Sequence, residues 1–315
     1  MRSLLMLLVI GATLCSFNMP YPIPARPLRM LIMESQVIIE GEVIGEHILM
    51  EKDKKGREYE GAHIAVIRVK NLLQGKLDTD TVQVFFEPNM ICPAPASYSV
   101  NTAVITFLDK RPDGQGYYTH ALSYGVKQLP REGLDIYKKR IREMQAIMQL
   151  KDTVQQRNKI MDWLVACAEN KFTRWEGIYE LSGGSSFSRM ELITQEKEVR
   201  DPLTDRSLNK QQKKTLFNLI SKDTVRSEDF PLIDLVIADY KEPILQLMVH
   251  TIKNSGTDNR GDPWLTYGLM HRIRDIKRDE RLSKLIAEYD KLMWNTDNNV
   301  GQLQQEKIRG FIALL

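Results

Sequence analysis

YYTHALSYGVKQLPREGLDIYKKRIREMQAIM, Tyr117 to Met148, changes rhythm in its middle. Tyr117 to Ala121 closes a series of short β-branched and aromatic runs. Beyond Pro130, Tyr137, Ile141, Met144 and Met148 fall at i, i+4, i+7 and i+11, which is one face of an α-helix. A chain that alternates before this point and turns helical after it predicts two parts with different architecture.

Upstream, period two prevails. Val37, Ile39 and Val43 alternate with Glu40 and Glu42. Ala65, Ile67 and Val69 alternate with Arg68 and Lys70, and Val82, Val84 and Phe86 with Thr81, Gln83 and Phe85. Ala103 to Leu108 and Tyr117 to Ala121 complete about five strands, the last two joined by Pro112-Asp113-Gly114-Gln115-Gly116, a stretch rich in turn formers. So many short strands leave costly edges unless the sheet curls shut, so a small closed or nearly closed barrel is expected.

Downstream, Val154, Met161, Leu164, Val165 and Ala168 keep the helical period. Further helices are expected around Leu208 to Ser221, Phe230 to Tyr240, Ile244 to Lys253, Trp264 to Lys277, Arg281 to Trp294 and Gln302 to Leu315. Pro231, Pro243 and Pro263 suit first helical turns. Helices this short must stack, as a bundle or as consecutive pairs. No fixed repeat is evident: Lys159 and Lys214 open loosely similar segments, at a spacing longer than that of HEAT-type pairs. Ser182 to Asp205, opening Ser-Gly-Gly-Ser-Ser, reads as an internal loop or lid.

The order VIIEGEV (Val37 to Val43), IAVIRVKNLLQGKL (Ile64 to Leu77), TVQVFF (Thr81 to Phe86), Cys92-Pro93 and TAVITFLD (Thr102 to Asp109) resembles the netrin-like OB barrel of the tissue inhibitors of metalloproteinases and their bacterial relatives. The resemblance implies a five-stranded OB-like β-barrel over residues 36–130. The helical period beyond it, which resembles no recognised family, predicts an all-α domain over 131–315, either a bundle or HEAT-like stacked helix pairs: an α+β, two-domain chain. In the animal inhibitors an N-terminal Cys-x-Cys chelates the protease zinc. Only Cys15-Ser16-Phe17 precedes the barrel here, so that mode of inhibition does not carry over.

Met1-Arg2-Ser3 followed by the apolar run Leu4 to Leu14 has the form of a secretory signal, expected to occupy residues 1–16 with a proline-containing lead-in over 17–35. The run is too short to span a bilayer. Export to the periplasm or the extracellular space is therefore expected, with no transmembrane span after the signal is removed. Acylation of Cys15 is the alternative that leaves a lipid anchor, with the bulky Leu14 standing where a small residue is usual. Removal of the leader leaves Cys92 and Cys167, which either pair as a disulfide in an oxidising compartment or stand as two separate buried thiols.

With 315 residues, 43% apolar and 27% charged, the composition is that of a globular chain, and 44 basic against 41 acidic residues supply no concentrated field for nucleic acid. The chain has no H-E-x-x-H, G-x-S-x-G, Walker or C-x-x-C motif. No catalytic residue is assigned. Ser185 lacks a strand leading into it, and Glu176 and Glu180 read as an ordinary surface pair beside Arg174. Eight of the ten residues from Glu51 to Glu60 are charged, a solvated hairpin tip. His47 and His63 flank this tip symmetrically, so a regular hairpin places them opposite one another or one residue out of register, within reach of a shared zinc with Glu46, Glu58 or His120 as third ligand, whereas a slip of one residue sends the rings to opposite faces. Trp175 and Tyr179, four residues apart on a helix, form a recognition patch if they are exposed. The expected work is binding of a protein or small molecule in the cell envelope. The rival readings are an envelope hydrolase with a site near His120 and Tyr124, and a protease inhibitor of unfamiliar mode.

Overall fold

The computed structural model describes residues 25–89, 94–183, 203, 207–222, 224–255 and 262–293, and 299–315. The leader, Cys92, Ser185 and most of the loop read at Ser182 to Asp205 lie outside them. Among the described residues the protein is α+β, with one six-stranded sheet and ten α-helices. The described residues up to Ile160 form one compact unit and those from Met161 onward the second.

The first unit opens with α1 (Leu28–Glu34), inside the segment read as a proline-containing lead-in. It forms because Leu28, Leu31 and Ile32 are three and four residues apart and all become buried. The strands are β1 (Val37–Lys52), β2 (Glu58–Gln74), β3 (Thr81–Phe86), β4 (Ala103–Lys110), β5 (Tyr117–Thr119) and the short β6 (Val126–Lys127). Pairing runs β1-β2-β3-β5-β4 and returns to β1, a ring of five strands with β6 added beside β4. Every pairing is antiparallel except that of β3 with β5.

The alternation expected from the sequence builds the interior. Val37, Ile39, Val43, Ala65, Ile67, Val82, Val84 and Phe86 face one cluster with Val104 and Leu108. A polar trio sits among them: the Tyr98 hydroxyl lies 2.7 Å from both the Thr106 and the Thr119 hydroxyls. Burial pushes the Tyr98 phenol up to about 12, so it stays protonated. β1 closes the ring by pairing with β2 on one side and β4 on the other. Gly41 lies beside a register shift in this strand, where a Cβ would stand 2.6 Å from the Arg68 carbonyl oxygen.

β4 is buried at every position from Val104 to Leu108, a continuous buried run rather than an alternating one, because both its faces are covered. The outer cover includes α2 (Arg131–Met148), whose buried face is Leu134, Tyr137, Ile141 and Met144. Polar contacts tie α2 down. Lys138 Nζ donates to Glu40 at 2.9 Å, and Gln145 Nε2 donates to the Leu73 carbonyl at 3.0 Å. Gln74 in turn donates to the carbonyls of Ile32 and Ser35, closing the C-terminal end of α1.

The helices α3 (Thr153–Glu169), α4 (Arg174–Leu181), α5 (Lys210–Ile220), α6 (Phe230–Val236), α7 (Lys241–Asn254), α8 (Pro263–Lys277), α9 (Glu280–Met293) and α10 (Val300–Ala313) follow, with the division between units inside α3. Met161, Leu164, Val165 and Ala168 are buried as expected, whereas Val154, in the first turn of α3, is exposed. In the second unit, packing falls mainly between sequence neighbours: α5 on α6, α7 on α8, α8 on α9, and α9 on α10. Caps come from the sequence. Asn209 and Gln212 make a reciprocal capping box on α5, and Asp262 accepts from the Trp264 and Leu265 amides at the start of α8.

Candidate interaction surfaces and histidine sites

β1 pairs with β4 only from Val37 to Glu42, and β2 with β3 only from His63 to Arg68. Past those limits the two long strands pair with one another alone among the described residues, as far as Lys52 and Glu58. They form a hairpin arm that runs out of the ring. The charged tip is the solvated turn the sequence predicts. Asp53 accepts from the amides of Lys55 and Arg57 at 2.8 and 2.9 Å and from the Arg57 guanidinium at 2.8 Å. These bonds hold the Asp53 carboxyl below its ordinary range.

The shaft behind the tip is apolar on both faces. Ile48 and Met50 point one way and Leu49 the other, and all three are exposed, Met50 to 57%. Tyr59, also exposed, crosses to Glu51, its hydroxyl donating to the carboxylate at 2.8 Å. A two-stranded ribbon has no second layer to bury such side chains, so their exposure follows from the topology.

His47 lies opposite Ile64 and His63 opposite Ile48, in consecutive register. The one-residue offset applies, and the two rings occupy opposite faces of the arm. The structure does not bring them together around a metal. His63 faces the interior of the ring at its rim, buried against Phe86 with ring centroids 5.5 Å apart. Its Nδ1 donates to Glu46 at 2.6 Å, and Glu60 stands 4.0 Å from Nε2. Among the described residues no three His, Cys, Asp or Glu side chains are grouped as a metal site.

His120, weighed from sequence as a third ligand or a catalytic neighbour of Tyr124, is held in another way. Its Nδ1 lies 2.6 Å from Asp109 and its Nε2 3.0 Å from Glu34. Arg26 binds the same Glu34 oxygen at 2.9 Å. Carboxylates only accept, so both ring nitrogens donate and the ring is an imidazolium. Burial alone would lower its pKa. Hydrogen bonds and charge from Asp109 and Glu34 outweigh that and raise it to about 9. A ring already protonated at neutral pH, with both nitrogens engaged, accepts no proton from a substrate. Tyr124 sits in the 3-10 turn Leu122–Gly125 just beyond.

On α4 the Trp175 and Tyr179 rings stack, with centroids 5.1 Å apart and planes 29° from parallel, and Trp175 is 44% exposed. The sequence pairing is therefore a real side-chain pair. Glu176 and Glu180 correct the other reading of this helix: both are buried, not surface residues. With the aromatic pair turned outward, positions 176, 177 and 180 must turn inward. Nearby, Arg174 makes a 2.5 Å ion pair with Asp229, which also accepts from the Arg226 amide. Cys167 is fully buried in α3, where its carbonyl accepts from the Thr173 hydroxyl at 3.0 Å. Its pairing with Cys92 falls outside the described residues.

No helix among the described residues is long and apolar enough to cross a membrane. No protein-family profile matches the chain, and no curated protein matches it in sequence.

Proposed function

We propose that this is an exported, non-enzymatic binding protein that takes an extended polypeptide strand on its hairpin arm. The observation that carries the reading is the arm itself, which presents Ile48, Leu49, Met50 and Tyr59 to solvent beside strand edges that nothing else pairs among the described residues. Such an edge offers backbone donors and acceptors for one added strand, and the flanking side chains supply the apolar contact.

The scaffold supports this reading. We read the ring as an OB-type barrel of the netrin-like kind, on three features: the order β1-β2-β3-β5-β4-β1, the parallel β3–β5 pair, and a first strand shared by both sides. The later helices, packing neighbour on neighbour, are read as stacked pairs. Export rests on the apolar leader Leu4 to Leu14. The hydrolase alternative loses its most suggestive group, since His120 is an imidazolium clamped by two carboxylates. Stacked Trp175 and Tyr179 are the second surface of this reading, on the helical unit.

The test is capture of envelope proteins by the mature chain and by a variant carrying Ile48→Ser, Leu49→Ser, Met50→Ser and Tyr59→Ser. All four side chains are exposed, so the variant is expected to melt within a few degrees of the wild type. It is expected to lose the captured polypeptide. A partner retained in full by a folded variant would discard the arm as the docking element.

A further inference from the structure

Resting on the reading of the arm as a strand-docking element, the geometry points to a specific occupant: the same strand of a second copy of this chain, paired antiparallel along the outer edge of β1 about a two-fold axis at Leu49. From Glu46 to Lys52 the edge reads Glu-His-Ile-Leu-Met-Glu-Lys, and every residue of it is exposed. Its outer side pairs with no strand among the described residues.

An axis at Leu49 sets each residue against its mirror position. Glu46 meets Lys52 of the second copy, His47 meets Glu51, Ile48 meets Met50, and Leu49 meets itself. Charge meets opposite or basic partner, and apolar meets apolar. The pleat agrees with this register. Glu46, Ile48, Met50 and Lys52 share one face, and His47, Leu49 and Glu51 share the other, so each pair falls on a common face. The result is a four-stranded sheet in the order β2-β1-β1-β2, with the four side chains of two Ile48–Met50 pairs side by side on one face.

Other registers fail on the same criteria. An axis at Ile48 sets Glu46 against Met50 and Glu51 against Gly45. One midway between Leu49 and Met50 sets Glu51 against Ile48. The outer edge of β2 is a poorer template, because an axis at Tyr59 opposes Glu58 to Glu60; the register shift between Ile48 and Met50 sets Leu49 alone against Gly61 and Ala62, so the extra residue interrupts β2 while β1 keeps its alternation. Isologous pairing of one patch with itself is also the commonest way for copies of a chain to associate.

The full mature chain is expected to run as a dimer in light scattering. Glu46→Lys sets lysine against Lys52 twice across the axis, and Lys52→Glu sets glutamate against Glu46 twice. Each variant alone is expected to dimerise about tenfold more weakly. An equal mixture of the two restores opposite charges at both contacts and is expected to recover the dimer. Because Glu46 also holds His63, and Lys52 lies 3.3 Å from Glu58, a measurement independent of both residues accompanies the mixture. Leu49→Cys places two thiols on the axis, at the about 5 Å Cα separation a disulfide needs, whereas Ile48→Cys leaves them about 8 Å apart. Oxidative cross-linking at position 49 and not at 48 supports the register.

A wild-type chain that is monomeric at about 100 µM, far above the micromolar range of a specific contact, overturns self-pairing. So does a mixture of folded variants that stays monomeric, or equal cross-linking at 48 and 49. A monomer whose envelope partner still depends on Ile48, Leu49, Met50 and Tyr59 sinks only the self-pairing. A dimer that survives the four serine substitutions sinks the docking reading as well.

Discussion

His120 is the clearest example of a residue whose letter says less than its neighbours do. In sequence it is one of five histidines, with no spacing that selects a partner. The fold brings it to Glu34, 86 positions earlier, and to Asp109. A ring held as a cation by two carboxylates ties α1 to β4 and to the segment after β5. Its folded pKa, raised to about 9, stands above the ordinary value of 6.5. Folding therefore takes up a proton between those values, and its contribution is complete below pH 6.5 and lost as pH climbs through about 9. The ceiling on that contribution is about 3 kcal/mol. The wild type is expected to lose melting temperature between pH 6.5 and 9.5, and His120→Gln is expected to show a flatter profile over the same interval. Parallel pH profiles for the two proteins would contradict the clamp. The histidines of the arm carry the complementary lesson. Their symmetric placement about the tip was legible, but whether they meet depends on a single residue of register, which the letters do not record.

α4 shows the same limit in an element of eight residues. Glu176 and Glu180 invite the reading that acids go outward, and the helix turns them inward while Trp175 stays exposed. What turns it is Gly177. A Cβ there would stand 2.5 Å from the Ala168 amide nitrogen and also against the Leu164 carbonyl, so α4 lies backbone to backbone on α3 along that line. Gly177→Ala must push the helices apart, at a cost of about 1–3 kcal/mol, even though alanine is the better helix former. Urea unfolding followed by tryptophan fluorescence checks this, and a variant as stable as the wild type would show that the close approach is not needed. Where an element buries a whole stripe or alternates strictly, its sequence announces it: β1, β2, β3 and β4 and the apolar face of α2 were legible for that reason. α1 and β6 were not. One is a short helix behind prolines that packs on α2, and the other a two-residue strand paired with β4, so both depend on tertiary partners rather than on their own letters. The arm was half legible. Its charged tip stands out, but the apolar shaft behind it looks like any buried strand until the pairing limits of β1 and β2 are known.

The change of rhythm at Pro130 and the limit of the first compact unit are different places. Secondary structure switches at Arg131, where a helix starts, but that helix belongs with the strands before it. Leu134, Tyr137, Ile141 and Met144 are each at most 4% exposed, and Lys138 and Gln145 reach back to Glu40 and Leu73. Four such side chains are worth on the order of 2 kcal/mol apiece in removal from water, a sum comparable with the whole net stability of a domain. Periodicity reports what an element is, and only packing reports what it belongs to. Two truncations separate these meanings. A chain spanning 25–150 keeps the ring, α1 and α2, and is expected to unfold cooperatively in urea. A chain spanning 25–130 keeps every strand but bares the outer face of β4, where Ile105 and Phe107 are fully buried in the intact protein. It is expected to lose the sharp transition and to bind a hydrophobic dye, as loosely packed states do. If the shorter chain unfolds as sharply as the longer one, then α2 is an ornament on a self-sufficient ring, and the boundary drawn at Pro130 is the physical one.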